Sequence, residues 1–415
     1  MTPRGLHLFQ GYGVELEYMI VDRATLDVTP VADKLLHAAA GDYSGEAEIG
    51  ETVWSNELVL HVVELKTNGP AGALAGLPGL FAADVATINE LLETFGARLM
   101  PTAMHPWMNP LAEARIWPHD NSPIYRAYDR IFDCRGHGWS NLQSMHLNLP
   151  FHGDDEFARL HAAIRLVLPI LPALAASSPI VEGRPAEELD HRLEVYRSNQ
   201  KKVPMLTGRV IPEPVFTRQA YQRELLGLLY RDIAPHDPDQ ILRHEWLNSR
   251  GAIARFARDT IEIRVIDVQE CPAADLAIAA LVVRTVKSLV AETWADLAAQ
   301  EAWPIAPLEE IFLSAIMNAD ATVIRNRKYL EMFGFEDGEA TAGELWSHLL
   351  EHAREQNEDP PELLNPIDTI LNEGPLARRI LKALGPNFSR DGIQATYAQL
   401  CDCLAENKMF GRSGL

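Results

Sequence analysis

A few acidic side chains and one imidazole stand out for where they sit. In GYGVELEYMI (residues 11–20) Glu15 and Glu17 are two apart inside an otherwise apolar run. A β-strand sends alternate side chains to opposite faces, so this pair emerges on one face while Val14, Leu16 and Tyr18 take the other. Two carboxylates on one face repel unless something positive lies between them. The same habit recurs along the chain. Glu64 interrupts the apolar run VVELKT on the face opposite Val63 and Leu65, and His146 shares a face with Asn148 in QSMHLNLPF. In DTIEIRVID, Thr260, Glu262 and Arg264 share a face while Ile261, Ile263 and Val265 point to the core. Alone, a Glu-x-Arg pair reads as a structural ion pair and a strand histidine as a core residue. If the strands are sheet neighbours, one face carries Glu15, Glu17, Glu64, His146 and Glu262, a bed of hard oxygen ligands with one imidazole. That donor set suits Mg²⁺ or Mn²⁺ and argues against zinc.

Glu57 lies seven residues before Glu64, an odd separation, so it joins the bed only if the chain bends between them. His61 shares its parity and is read as structural. Glu46, Glu48 and Glu51 read as a solvated acidic loop. The cations gather in NSRGAIARFARDTIEIRVID, where Arg250, Arg255, Arg258 and Arg264 fall within a short stretch of an acidic chain. Guanidinium groups there either neutralise nearby carboxylates or form forks for phosphate and carboxylate oxygens. No GxxxxGK[ST], no GxGxxG after a strand and no GxSxG is present, which removes the main support for P-loop, Rossmann and α/β-hydrolase chemistry. A metal bed with arginines and no P-loop points to phosphoryl chemistry on another scaffold.

The elements that must hold these residues follow from periodicity. Strands are expected at 11–22, 58–67, 97–104, 140–151 and 259–268. Helices are expected at 29–39, over 80–96 (Phe81, Val85, Ile88, Leu92), from Ser122-Pro123, after Asp154-Asp155 with a bend at Pro169 and Pro172, and from Pro272. Segments 41–57 and 177–220 read as loop-rich. After residue 300 the pattern is helical, with no strand. The expected fold is α+β, a mainly antiparallel curved sheet flanked by helices with one polar face, residues 1–300 forming the catalytic core and 301–415 a helical region packed on it.

Composition sets the outer bounds. The 415 residues carry 37 Lys+Arg against 58 Asp+Glu, a formal charge of −21, which opposes binding to nucleic acid or to anionic membrane surfaces. Cys134, Cys271, Cys401 and Cys403 form no CxxC pair, so reduced thiols in a cytoplasmic protein are expected. The stretch LVLPILPALAA (166–176) is too short to cross a bilayer, and no signal-peptide pattern is seen.

GVELEY, the Glu57–Glu64 segment ending VELKT, SMHLNLPF, ALAASSPIVEG and DTIEIRVIDVQECP together resemble the landmarks of the type two glutamate–cysteine ligases, the carboxylate-amine ligases of the glutamine synthetase-like superfamily. The resemblance runs from about residue 8 to 300 and implies a half-barrel of antiparallel strands that binds ATP with divalent ions. By residue, it implies Glu15, Glu17, Glu57, Glu64, His146 and Glu262 as metal ligands, Arg264 as a catalytic phosphate-binding group and Arg250 as a further nucleotide contact; Arg258 of the cationic cluster and Asn148 beside His146 are expected to join them, as a catalytic and a nucleotide-binding group. The implied reaction transfers the γ-phosphate of ATP to a carboxylate, glutamate or a relative, and an amine attacks the acyl phosphate. Shielding that intermediate implies a closing loop, for which 177–220 and 105–121 are candidates. Two rivals stay open: a phosphotransferase akin to the guanidino kinases, and a nucleotide- and metal-binding regulator without turnover. A homo-oligomer is compatible with each.

Overall fold

A computed structural model describes residues 5–411. Its centre is an open antiparallel sheet built from β1 (Gly13–Asp22), β2 (Glu46–Ile49), β3 (Thr52–Asn56), β4 (Val62–Thr67), β5 (Ala97–Met100), β6 (Ser144–Pro150), β7 (Ala252–Arg255) and β8 (Thr260–Asp267). The order across the sheet is β2-β3-β4-β1-β6-β8-β7, and β5 pairs with the far end of β1. The expected mainly antiparallel sheet flanked by helices is therefore what the chain forms.

The core face is made by the alternate residues that the sequence marks as apolar. Val14, Leu16, Leu65, Leu147, Leu149, Ile261 and Ile263 are all fully buried. Helices flank the sheet: α1 (Ala32–Ala40), α2 (Leu77–Glu93), α3 (Ser122–Phe132), α4 (His137–Ser140), α5 (Gly153–Val167), α6 (His191–Ser198) and α7 (Pro272–Val290), with α3, α4 and α6 giving side chains to a cavity over its polar face. Phe81, Val85, Ile88 and Leu92 of α2 form the buried stripe that their spacing predicts. The all-round apolar α7 has Pro272 at its first turn and is buried along nearly its whole length, as a helix surrounded by others must be. Pro169 and Pro172 end α5 at Val167 and restart the chain as two short helical turns.

The tail forms α8 (Ile305–Asn318), α9 (Ala342–Gln356), α10 (Pro361–Glu373), α11 (Leu376–Leu384) and α12 (Arg390–Glu406). One hydrophobic cluster joins Val14 and Leu16 of the sheet, Leu281 of α7 and Trp346 and Ile367 of the tail. The tail also holds one short pairing, Val323–Ile324 with Ala340–Thr341, where no strand was expected. No helix among the described residues is long and apolar enough to cross a membrane.

Other element assignments change too: the strand expected at 97–104 ends at Met100 and that expected at 140–151 starts at Ser144. Residues 46–56, expected as loop, form the hairpin β2–β3, turning at Gly50, whose positive φ of 66° suits a two-residue turn. The strand expected from residue 58 begins at Val62. β7, unmarked in the sequence, forms the sheet edge beside β8.

Candidate active site

The register brings the expected residues onto one face. Glu15 lies opposite Lys66 on one side and His146 on the other, Glu17 lies opposite Glu64, and Glu262 opposite Asn148. Directly opposed residues of an antiparallel pair share a face. Glu57 arrives by the bend its parity demands: it follows the last residue of β3, in the turn that leads to β4.

Hydrogen bonds hold the bed in place. His146 bridges Glu15 Oε2 through Nδ1 at 3.0 Å and Ser144 Oγ through Nε2 at 3.0 Å. Glu17 Oε2 accepts from the Ser144 N–H at 2.7 Å and from its hydroxyl at 3.1 Å. Asn148 donates to Glu15 Oε1 at 3.0 Å, and Ser55 Oγ donates to Glu64 at 2.6 Å. Lys66 Nζ sits 3.5 Å from Glu64 and 2.6 Å from Glu46.

The electrostatics are those of a site short of positive charge. Burial, followed by the Glu17 and Glu15 carboxylates, pushes Glu57 from its ordinary 4.5 up to about 8. Burial together with Glu15 and Glu57 pushes Glu64 well up. For Glu15, burial acts upward but is outweighed by the His146 ring, Glu64 and Lys66, which hold it well below the carboxylate range. Burial would lower His146, yet Glu15 and Glu17 raise it.

Ligand atoms of Glu15, Glu64 and His146 lie within 4.8 Å of one another, as do those of Glu17, Glu57 and Glu64. Crowded, partly protonated carboxylates with one imidazole fit a hard divalent cation such as Mg²⁺ or Mn²⁺, which would supply the missing charge.

Glu262 shares the face but belongs to neither group. Its oxygens are paired with Arg255 at 2.6 Å and Arg264 at 3.1 Å at the edge of the first cavity. Arg264, opposed by burial, is raised by Tyr196 and Glu262 and stays charged. Arg258 projects from the β7–β8 turn with no ion-pair partner among the described residues. Arg250 is a correction. It is fully buried, forks Glu213 with two bonds of 2.6 Å, and donates to Met205 O and Leu206 O. Its donors are spent on scaffold, and it lines neither cavity of the site. The acidic run is also corrected, since Glu46 and Glu48 stand on edge strand β2 at the rim of the first cavity. His61 is buried and bonded to Ser140 O, a structural role as read.

Two cavities meet over the bed. The first, about 640 Å³, is lined by Gly11, Gly13, Thr67, Asn68 and Pro70 besides the shared residues. The second, about 510 Å³, is lined by Tyr125, Tyr128, Trp139, Arg192, Tyr196 and Trp246. Glu57, Glu64, Lys66, His146, Arg258 and Arg264 border both. Sequence reasoning missed Lys66, though its signal was present two residues after Glu64 on the same face. It also missed Arg192, whose buried partner Asp267 is remote in sequence.

The model of glutamate-cysteine ligase family 2 matches residues 12–399 of this chain. The chain belongs to that family. Membership makes it an enzyme of the carboxylate–amine ligase type. It is 32% identical over 398 residues to an uncharacterized protein of Archaeoglobus fulgidus, an alignment that spans 96% of this chain and 99% of that one. It is 30% identical over 188 residues to a Rubrobacter xylanophilus protein named "Putative glutamate--cysteine ligase 2-3", over 44% of this chain and 47% of that one. Among solved structures it is similar to the glutamate–cysteine ligase of Francisella tularensis in complex with AMP, with a TM-score of 0.56 at 12% identity over 96% of this chain and 90% of that chain. That likeness is one of fold, and it matches a family fold of curved antiparallel sheet and flanking helices.

Proposed function

We propose that this member of glutamate-cysteine ligase family 2 joins a glutamate-like carboxylate to an amine, with ATP and Mg²⁺ (or Mn²⁺), through an acyl phosphate. The observation that carries the reading is the shared border of the two cavities, where two carboxylate-rich groups face Arg258 and Arg264. Glu15, Glu64 and His146 would hold one divalent ion and Glu17, Glu57 and Glu64 another. Bound there, the ions would offset triphosphate charge and the charge of the transferred phosphoryl group.

The protein's own groups divide the remaining work. The first cavity, with small Gly11 and Gly13 and the Asn68–Pro70 turn, is assigned to the nucleotide. Arg258 is free to swing onto phosphate oxygens, while Glu262 aims Arg264 from below. The second cavity is assigned to the carboxylate and the amine. Arg192, buried at the cavity wall, is anchored through Nε by Asp267, and among the described residues its outer nitrogens meet only Arg264 O at 3.4 and 3.5 Å, which leaves a guanidinium edge for a substrate carboxylate. The substrate's reacting carboxylate takes the γ-phosphoryl group and releases ADP. The neutral amine then attacks the acyl carbon, phosphate leaves, and the amine's proton passes to solvent.

The test is release of ADP and phosphate from ATP, Mg²⁺, glutamate and a panel of amines, with the amide identified by mass. Amine-dependent phosphate release with a matching amide is expected. A stable phosphorylated product without amide would favour a phosphotransferase, and ATP binding without turnover with any acceptor would overturn the ligase assignment.

A further inference from the structure

We infer that, within this ligase reading, the acceptor is an amine that carries an aromatic ring, and that the ring binds against the aromatic wall of the second cavity. That wall is assembled from four separate elements: Tyr125 and Tyr128 of α3, Trp139 of α4, Tyr196 of α6, and Trp246 of the turn before β7. The rings support one another, since Tyr128 lies 5.1 Å from Trp139 and 6.0 Å from Trp246 in tilted geometry, and Phe132 stacks on Trp139 from behind at 5.4 Å.

Three of their polar ends are tied back into the protein. Trp139 Nε1 donates to Asn199 O at 3.1 Å, Tyr196 Oη donates to Ser249 O at 2.9 Å, and Tyr125 Oη accepts from Asn56 Nδ2 at 2.9 Å. Gly138 lets α4 sit this close to α6, because a Cβ there would stand 2.7 Å from Asn199 Cβ and 3.0 Å from Val195 O. The wall is thus fixed before any ligand arrives.

Tyr125, Trp139, Tyr196 and Trp246 nevertheless remain partly exposed toward the cavity. Apolar ring surface held open to water is unfavourable until something flat covers it. Ammonia or a cysteine side chain would leave most of that surface wet. An aromatic ring would cover it by offset or edge contacts, and ring faces also attract the ammonium form of an incoming amine. The same cavity is bordered by Glu17, Glu57 and His146, so an amine one short linker away from such a ring reaches the proposed acyl phosphate. Arg192 on the same wall gives a carboxylate-bearing acceptor a second anchor.

The experiment compares kcat/KM of the wild-type protein for tyramine, phenethylamine, phenylalanine and tryptophan with that for cysteine, alanine and ammonia, at saturating ATP, Mg²⁺ and glutamate. At least one aromatic amine should exceed cysteine by about tenfold or more. Higher values for the amino acids than for the free amines would assign Arg192 to the acceptor, and the reverse would assign it to the donor carboxylate; both support the ring subsite. Trp246→Leu should cut the aromatic-to-cysteine ratio at least tenfold, chiefly through KM. Independently, tyramine alone should quench the tryptophan fluorescence of the wild type and do so less in Trp246→Leu. Cysteine or ammonia preferred over every aromatic amine, with glutamate-dependent turnover intact, would overturn this inference and leave the ligase reading standing. No turnover with any amine would remove both.

Discussion

Glu57→Gln removes one ionisable carboxyl from a group in which Glu17, Glu57 and Glu64 place oxygens within 4.8 Å of one another. Glu57 is raised from 4.5 to about 8, first by burial and then by its acidic neighbours. A raised carboxyl stays protonated in the native state while the unfolded chain ionises it, so native stability falls as pH rises from 4.5 toward 8. Each pH unit in that window costs about 1.4 kcal/mol, or about 3 kcal/mol near neutrality; solvent screening at this partly exposed carboxyl brings the figure to about 2 kcal/mol. Glutamine cannot ionise and avoids that cost. The metal-free variant should therefore be more stable than the wild type by about 2 kcal/mol, a rise of a few degrees in Tm for a chain of this size. A cation that binds the native state restores the wild type by mass action, so Mg²⁺ should stabilise the wild type more than the variant and narrow the gap. Ligase turnover should fall in the variant. Thermal and urea melts of both proteins, with EDTA and with excess Mg²⁺, give the answer. A variant no more stable than wild type in EDTA would show that the carboxylates do not repel as the geometry requires. Equal Mg²⁺ gains in the two proteins would show that Glu57 holds no ion.

Arg250→Met should cost about 3 kcal/mol, because it leaves Glu213 and several carbonyls unpaired, yet leave KM for ATP nearly unchanged in the folded protein; a large rise in KM would return Arg250 to the site. Glu262→Gln should lower kcat by about tenfold to a hundredfold with the fold intact by circular dichroism, since Arg255 and Arg264 lose the carboxylate that aims them; unchanged kcat would make the triad purely structural. His161 is buried among Phe157, Phe216 and Tyr221, and burial with Arg165 nearby lowers it from 6.5 to about 3. It stays neutral when native, so stability is full above about pH 6.5 and is lost as pH falls toward 3, by about 2 kcal/mol at pH 5. His161→Phe should flatten the melting curve against pH over that range, and an equally acid-sensitive variant would refute the assignment.

The parts of the site legible in the sequence were those governed by strict alternation. Glu15, Glu17, Glu64, His146, Asn148 and Glu262 share a face because β1, β4, β6 and the first half of β8 keep period two and pair in register. Even Glu57 was legible as a break in parity, and the break is the β3–β4 turn. What alternation could not give were partners remote in sequence. Arg250 lies in the cationic cluster by spacing, but Glu213, 37 residues earlier, draws it into the scaffold. Edge elements were also hidden: Glu46 and Glu48 alternate with Ala47 on β2, yet a short, acidic, Gly-ended run has the composition of a loop.

β8 shows most clearly where local reading stops. Continued alternation from Glu262 and Arg264 would send Asp267 to the core. The register with β6 instead shifts between Ile263 and Ile266, so that Asp267 pairs with Ser144, whose hydroxyl contacts Glu17 and His146. One extra residue in β8 buries both Val265 and Ile266 and turns Asp267 to the functional face. There it accepts from Ser177 N and Ser178 Oγ and anchors Arg192, whose outer edge faces the second cavity. A bulge is a property of pairing between two strands, invisible in either one alone. Here it couples the bed on β1 and β6 to the cavity assigned to the carboxylate and the amine, and without it the Arg192 guanidinium would lose the buried carboxylate that its Nε pairs with.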